Sequence, residues 1–187
     1  MMHSAHPNTD VLVYINIVIL KKNQMSTERH STKVLIMGIG NTLLQDDGIG
    51  VHITELFKST HPADPHVSIL DGGTIGLSLL PEIEDAERVI IVDASELGER
   101  PGTMRIFYNR EIDQQLSGKR RSVHEVALYD LFSAAAIRGR SPQQRVLIAI
   151  QPASTEWGLD PTPEVKASIP AACEAISNLT KSWQHAA

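Results

Sequence analysis

Short, wholly apolar segments that alternate with helical patterns constrain the fold of this chain more than any other feature. Such segments occupy residues 34–37, 89–92 and 146–150, and residues 67–70 and 104–107 are similar segments with one polar residue each, Ser68 and Arg105. Strands that are apolar throughout are buried on both faces, which requires helices on each side of the sheet. The alternation therefore predicts an α/β fold: a three-layer α/β/α sandwich with a mostly parallel, twisted sheet of five strands.

Helical spacing of apolar residues separates these segments. A first helix follows residue 48, residues 76–86 are compatible with a second, and another lies near residue 130. A last helix is predicted to begin at Thr162-Pro163, an N-cap followed by proline at the first helical position. Three of these helices have a clear apolar face. The apolar positions are Ile49, Ile53, Leu56 and Phe57 in the first helix; Leu128, Leu131, Phe132 and Ala135 in the helix near residue 130; and Val165, Ile169, Ala172, Ile176 and Leu179 in the last helix.

The N-terminal stretch is interpreted separately from the rest. Residues 11–20 are the most apolar run, but ten residues are too few to cross a membrane, and no positive charge precedes them as in a signal peptide. We therefore predict that residues 1–24 are a non-native or disordered extension upstream of Met25. Residues 25–187 are predicted to form one domain.

Charge and cysteine content exclude several classes of function. The chain has 22 acidic against 17 basic residues and few aromatic ones, so a nucleic-acid interface is not expected. Cys173 is the single cysteine, which excludes a disulfide framework and a thiolate cluster and is typical of a reducing compartment. Cys173 itself is predicted to pack in the core. We expect a cytoplasmic protein with no membrane partner.

The first loop, residues 38–50, contains several glycines and two adjacent aspartates. A dinucleotide site is disfavoured, because Leu43 stands where a third glycine is needed and carboxylates would repel a pyrophosphate. Asp46 is predicted to cap the following helix. Asp47, with glycines on both sides, is predicted to be held in the open.

Two further residues fall at the same edge of the predicted sheet, where ligand sites of such folds lie. Asp93 ends a strand, and its interpretation as a turn residue or as a site carboxylate stays open. His124 lies in a capping box, Ser122 to Glu125, and the helix N-terminus is expected to keep its imidazole neutral. Two carboxylates and an imidazole suit zinc or nickel. The residues alone indicate a metal or acid–base site.

Six blocks in order resemble the nickel–iron hydrogenase maturation endopeptidases. They are residues 38–51, 69–80, 89–95, 101–107, 122–132 and 150–163. The resemblance implies the same sandwich fold, with residues 25–187 as one hydrogenase maturation protease domain. It implies that Asp47, Asp93 and His124 are the metal-contacting and catalytic residues. Residues 71–74 and 151–158 match loops at the family's cleft or are ordinary turns.

The resemblance also implies a substrate. Such enzymes cut a C-terminal extension from a hydrogenase large-subunit precursor after nickel insertion, so the nickel belongs to the substrate and no tightly bound metal is expected in this chain. A monomer is expected. Two alternatives remain: a self-sufficient zinc-dependent amidase or peptidase using the same triad, and a non-catalytic nickel-binding maturation chaperone.

Overall fold

The computed structural model describes residues 34–74, 76–117 and 123–185, which fall within one compact unit, Thr32–Ala187. The extension predicted at residues 1–24 lies outside the described residues and stays a prediction. Within the described ranges, every helix is too short or too polar to cross a membrane.

The five predicted strands form one sheet in the order β2-β1-β3-β5-β4. Strand β1 pairs in parallel with β2 and β3, and β3 pairs in parallel with β5. Strand β4 is antiparallel to β5 at the edge, so the prediction of a mostly parallel sheet is confirmed. The strands are Val34–Ile39 (β1), Val67–Gly73 (β2), Arg88–Ala94 (β3), Met104–Tyr108 (β4) and Gln144–Ile150 (β5).

Strand β2 extends further than the sequence predicts. Residues 71–73 were expected to turn, but they continue the pairing with β1, as Gly38 pairs with Asp71 and Ile39 with Gly73. The register shifts between Gly38 and Ile39, so Gly72 is the extra residue of a bulge. A bulge with glycines lets the strand continue where the sequence pattern indicates a turn.

Six helices cover the sheet in the described part of the chain. They are Ile49–Thr60 (α1), Leu80–Asp85 (α2), Arg110–Leu116 (α3), Val123–Ile137 (α4), Pro163–Lys166 (α5) and Ile169–His185 (α6), with short 3-10 turns at Gln45–Gly48 and Leu77–Leu79. Helix α3 was not predicted. The expected last helix is divided in two, because Pro170 has no N–H and its ring would clash with the carbonyl of Lys166 in a continuous helix.

Alternate residues of each central strand face opposite helical layers. Helices α1 and α6 pack on one face, where Ile36, Ile90 and Ile148 are fully buried. Helices α2, α3 and α4 pack on the other, against residues such as Ile91 and Leu147. The three-layer sandwich is therefore confirmed, as is the burial of Cys173, whereas Leu56, predicted to face the core, is 43% exposed.

Gly50 allows α1 to begin directly on the sheet. A Cβ at this position would lie 2.1 Å from the carbonyl oxygen of Val92 and 2.5 Å from that of Ile39. No side chain fits in that space, so glycine sets the distance between α1 and strands β1 and β3. This close contact fixes the start of α1, and with it the preceding loop, above the carboxyl ends of the strands.

Candidate functional site

The structure places all three predicted site residues at the carboxyl edge of the parallel strands. Asp47 lies in the 3-10 turn that follows β1, Asp93 lies near the end of β3, and His124 lies at the start of α4. All three are buried, with exposed fractions of 9%, 1% and 8%. The chain folds them together because parallel strands end at one edge, where the loops and helices that follow them converge.

Gly40 shapes the loop that carries Asp47. Its φ angle is +127°, a conformation open mainly to glycine, and a Cβ would lie 1.7 Å from the backbone carbonyl oxygen of Asp47. The loop is therefore folded back on itself, as the glycines indicated. The prediction that this would hold Asp47 in the open is wrong, because the same tight fold buries the side chain.

Asp47 and His124 form a direct hydrogen bond. His124 Nε2 lies 3.0 Å from Asp47 Oδ2, which also accepts a hydrogen bond from the backbone N–H of Asn41 at 2.9 Å. Burial raises the pKa of Asp47, but the bond from His124, the bond from Asn41 and the charge of His124 together lower that pKa below its usual value. Asp47 is therefore ionised at neutral pH.

The imidazole of His124 contacts a carboxylate, which opposes the effect expected from the helix N-terminus. Its hydrogen bond to Asp47 raises its pKa, burial lowers it, and the charges of Asp47 and Asp93 raise it further, so that the pKa lies above the ordinary 6.5. The pKa thus moves opposite to the direction expected from the helix N-terminus, while the neutral state of His124 stays a prediction. A carboxylate in direct contact outweighs the partial charge of a helix end.

Asp93 is the most isolated of the three. Within the described residues, neither of its carboxylate oxygens has a hydrogen-bond partner. Burial raises its pKa to about 8; the charge of His124 opposes this shift, while those of Glu125 and Asp47 add to it. Its burial and the nearby charges of His124 and Asp47 favour a site carboxylate over a turn residue, and the role of Asp93 stays a prediction.

Glu125 is a buried acid that the sequence analysis assigned only to a capping box. It is 1% exposed and lies close enough to Asp93 to affect its pKa. Ser122, the other member of the predicted box, lies outside the described residues. The buried position of Glu125 has no sequence signal beyond its place next to His124.

The three predicted ligands lie close together without forming a ready-made cage. In the described ranges, no three His, Cys, Asp or Glu side chains are grouped so that they could hold a metal ion. The Nε2 atom of His124 that would bind an ion instead contacts Asp47. The donor set itself, two carboxylates and one imidazole, fits nickel or zinc.

Asp46 does not cap α1, contrary to the prediction. It is fully buried and ties the segment after β5 to the first loop. Its Oδ2 accepts hydrogen bonds from the backbone N–H groups of Ala153 at 2.8 Å and Ser154 at 3.0 Å, and from the Thr162 hydroxyl at 2.9 Å. Its Oδ1 accepts from the Thr162 backbone N–H at 2.6 Å. We call these contacts the Asp46 clamp.

Thr162 takes the predicted N-cap position with Pro163 at the first helical position, but the clamp gives its side chain a different role. Its side chain makes no capping hydrogen bond to α5, because its hydroxyl donates to Asp46. The partners lie 116 residues apart, so the local pattern of threonine followed by proline could not reveal this contact.

The two loops noted beside the site have different roles. Gln151 Oε1 accepts hydrogen bonds from the backbone N–H groups of Leu97 at 2.7 Å and Glu99 at 3.3 Å, so Gln151 holds the loop after β3. Asp71 bonds locally, accepting from the backbone N–H of Gly73 at 2.8 Å. Gln151 is thus a positioning residue, whereas the Asp71 contact is an ordinary local one.

Fold and site together define an α/β protein with acid–base or metal-binding groups at the carboxyl edge of its sheet. Comparison with known proteins makes this more specific. A sequence model described as "Hydrogenase maturation protease" matches residues 51–179. The chain belongs to the hydrogenase maturation protease family, and it is therefore a hydrolase of peptide bonds, as the resemblance implied.

Individual relatives agree with this assignment. The chain is 37% identical over 152 residues to the hydrogenase expression/formation protein HupD of Rhizobium leguminosarum bv. viciae, covering 81% of this chain and 75% of that one. It is 36% identical over 145 residues to the hydrogenase 2 maturation protease of Escherichia coli K12, covering 77% and 88%. The solved structure of the E. coli hydrogenase maturating endopeptidase HybD matches with a TM-score of 0.76 at 35% identity, covering 80% and 93%.

Proposed function

We propose that this chain removes the C-terminal extension of a hydrogenase large-subunit precursor in the cytoplasm, acting as a monomer, and that Asp47, Asp93 and His124 bind nickel carried by that precursor. Family membership supports the peptidase activity and the class of substrate. The recognition of nickel rests on the donor set at the edge of the sheet, because carboxylate and imidazole ligands suit a divalent ion of this kind.

The observation that carries the proposal is the hydrogen bond between Asp47 and His124 beside the buried Asp93. An ion bound to the precursor has open coordination positions. It takes the place of the proton shared by Asp47 Oδ2 and His124 Nε2. Its positive charge also attracts the carboxylate of Asp93, whose oxygens have no hydrogen-bond partner among the described residues. Ligation by histidine needs a free ring nitrogen, so ion binding is coupled to loss of a proton.

This coupling makes metal insertion a condition for cleavage. A precursor without nickel leaves the Asp47–His124 hydrogen bond in place, and no ion then binds the three site residues to bring its scissile bond into reacting position. In the loaded precursor, water attacks the scissile carbonyl, the C–N bond breaks, and the new amine takes up a proton. The ion polarises the carbonyl, or a site carboxylate accepts the proton of the water.

The test measures the intact mass of a large-subunit precursor after incubation with the full chain, with and without nickel loaded. We expect the extension to be lost from the loaded precursor alone. His124→Ala removes the imidazole and is expected to slow cleavage at least about a hundredfold, as removal of a catalytic group commonly does. His66→Ala is the matched control, because His66 is exposed and precedes β2 at the opposite edge of the sheet.

Normal processing by His124→Ala, or equal cleavage of both precursor forms, would contradict the proposal. The zinc peptidase alternative instead predicts cleavage without nickel and about one tightly bound metal per purified chain. The chaperone alternative predicts nickel binding with no peptide bond cut. Family membership favours neither. The molar mass of the purified chain, measured by light scattering, tests whether it is a monomer.

A further inference from the structure

An exposed tryptophan and leucine stand beside the candidate site. Trp157 is 80% exposed and Leu159 is 68% exposed, both on the segment between β5 and α5. Leu43, on the loop after β1, is 47% exposed. Large apolar side chains clustered on a surface indicate an interaction site, and tryptophan is enriched among the residues that dominate binding energy. We call Leu43, Trp157 and Leu159 the apolar patch.

Backbone hydrogen bonds join the two segments that carry the patch. The N–H of Gly158 donates to the carbonyl of Leu43 at 3.0 Å, and the N–H of Gln45 donates to the carbonyl of Gly158 at 2.9 Å. These bonds make a parallel bridge between Leu44 and Gly158. Leu43 is therefore held next to the segment that contains Trp157 and Leu159.

The Asp46 clamp holds this segment on both sides of the patch. Ala153 and Ser154 donate to Asp46 before it, and Thr162 donates after it. Exposed apolar residues on such a segment are ordered before a partner arrives, so little conformational entropy is lost on binding. The clamp thus explains why a fully buried carboxylate stands next to the site residue Asp47.

The patch is also connected to the candidate site. The backbone N–H of Asp47 donates to the carbonyl of Leu44 at 3.0 Å, and Leu44 is the residue bridged to Gly158. A partner that contacts Trp157 and Leu43 therefore lies beside Asp47 and the His124 bonded to it.

Charge defines the partner further. Glu156 and Asp160 flank the segment and are exposed. Asp160 pairs loosely with Lys166 at 3.6 Å, and both side chains are largely exposed, so this pair is weak and open to competition. The patch therefore matches an apolar segment bordered by basic residues.

We propose that the apolar patch is the docking surface for the large-subunit precursor, and that it binds an apolar segment of the precursor flanked by lysine or arginine. Trp157 anchors that segment and so delivers the scissile bond to Asp47 and His124. This inference rests on the proposed function for the identity of the partner. It adds where the precursor binds outside the metal-recognising residues.

Trp157→Ser in the full chain tests the proposal. With nickel-loaded precursor, we expect KM and the Kd of the complex to rise about tenfold or more, as for a central interface residue, while kcat stays within about twofold. Trp157→Phe is expected to recover most of the affinity. Ile137→Ser is the matched control: Ile137 is 87% exposed but ends α4 at the far edge of the sheet, so its KM stays unchanged.

The basic flanks are tested by neutralising both acids, Glu156→Gln with Asp160→Asn. We expect KM to rise several-fold at low ionic strength and the difference to vanish at high salt, because exposed charges are screened. An unchanged KM of this double variant at low salt would show that the bound segment of the precursor is not flanked by basic residues.

Two outcomes would overturn the proposal that the patch is a docking surface. Either Trp157→Ser has the KM and Kd of the wild type, or Trp157→Ser has a lower kcat at unchanged KM. Failure of the proposed function gives a different result. In that case the wild type leaves the loaded precursor uncut. The Kd of the complex still tests docking: a weaker Kd for Trp157→Ser than for the wild type supports it, and an equal Kd rejects it.

Discussion

Asp46 and Asp93 are both buried carboxylates at the carboxyl edge of the sheet, yet their surroundings are opposite. Asp46 accepts four hydrogen bonds from three residues of the segment after β5. Asp93 has no hydrogen-bond partner among the described residues. A buried carboxylate with all its acceptors used is fixed as a structural link, whereas one without donors remains able to gain a proton or an ion.

Asp47 lies between these extremes. It accepts two hydrogen bonds, from Asn41 and from His124, and one of the two donors is itself a candidate ligand. The comparison therefore assigns structure to Asp46 and supports the predicted chemical role of Asp47 and Asp93. Replacing each aspartate by asparagine, which keeps its size and removes its charge, tests that division.

The largest effect on stability is expected for Asp46→Asn. The NH₂ group of the asparagine would face the backbone N–H groups of Ala153, Ser154 or Thr162, so donors would meet donors and lose their acceptor. The free energy of unfolding should therefore fall by about 3 kcal/mol. Urea denaturation measures this. Asp160→Asn, at a largely exposed side chain, is the control, with a change within about 0.5 kcal/mol. A loss below about 1 kcal/mol in Asp46→Asn would show that the clamp is not a structural link.

Asp47→Asn should act on the reaction. Its oxygen can still accept from Asn41, but the charge that faces His124 and the incoming ion is lost, so we expect nickel-dependent cleavage to fall at least about a hundredfold, or about 2.7 kcal/mol. The stability loss should be smaller, about 1 kcal/mol. Single-turnover cleavage and urea denaturation of one preparation give both values. A stable variant that cleaves at the wild-type rate would remove Asp47 from the site.

The smallest effect, counted per pH unit, is expected from the pH dependence that Asp93 contributes to stability. In the unfolded chain it loses its proton near pH 3.8, but in the fold its pKa is about 8. Between these values the folded state holds one more proton, so the contribution of Asp93 falls as pH rises, by at most about 1.4 kcal/mol per pH unit, and the loss is complete above pH 8.

Asp93→Asn removes that contribution, since asparagine does not titrate. Unfolding free energies of the variant and the wild type, measured with chelator from about pH 5 to pH 8, should therefore diverge, with the variant gaining relative stability as pH rises. Parallel curves would show that Asp93 is ionised in the fold. His124, Glu125 and Asp47, whose charges act on Asp93, are present in both proteins.

Local patterns in the sequence were sufficient for the layers and the sheet. Apolar strands such as residues 89–92 indicate burial on both faces of the sheet, and the structure confirms five strands, mostly parallel. Helix α3 was missed because it is a single short element, Arg110–Leu116, with two buried residues, Ile112 and Leu116. A pattern of two positions is too short to establish a helical period.

The site was predictable as residue types at one edge of the sheet, but not as contacts. The sequence indicated Asp47, Asp93 and His124, yet it did not show that the pKa of His124 is raised. That shift depends on a hydrogen bond between residues 77 positions apart, and such a bond exists only once β1 and α4 are in place.

The amino-acid sequence by itself determined the three-layer sandwich, the edge where the candidate site lies and the family, because each follows from residue types in chain order. The tertiary structure alone decided which aspartate is structural. Asp46 and Asp47 are neighbours of identical chemistry, and only the donors brought to them, Thr162 to the first and His124 to the second, make them different. The charge of a carboxylate is local, but its environment is assembled by the whole fold.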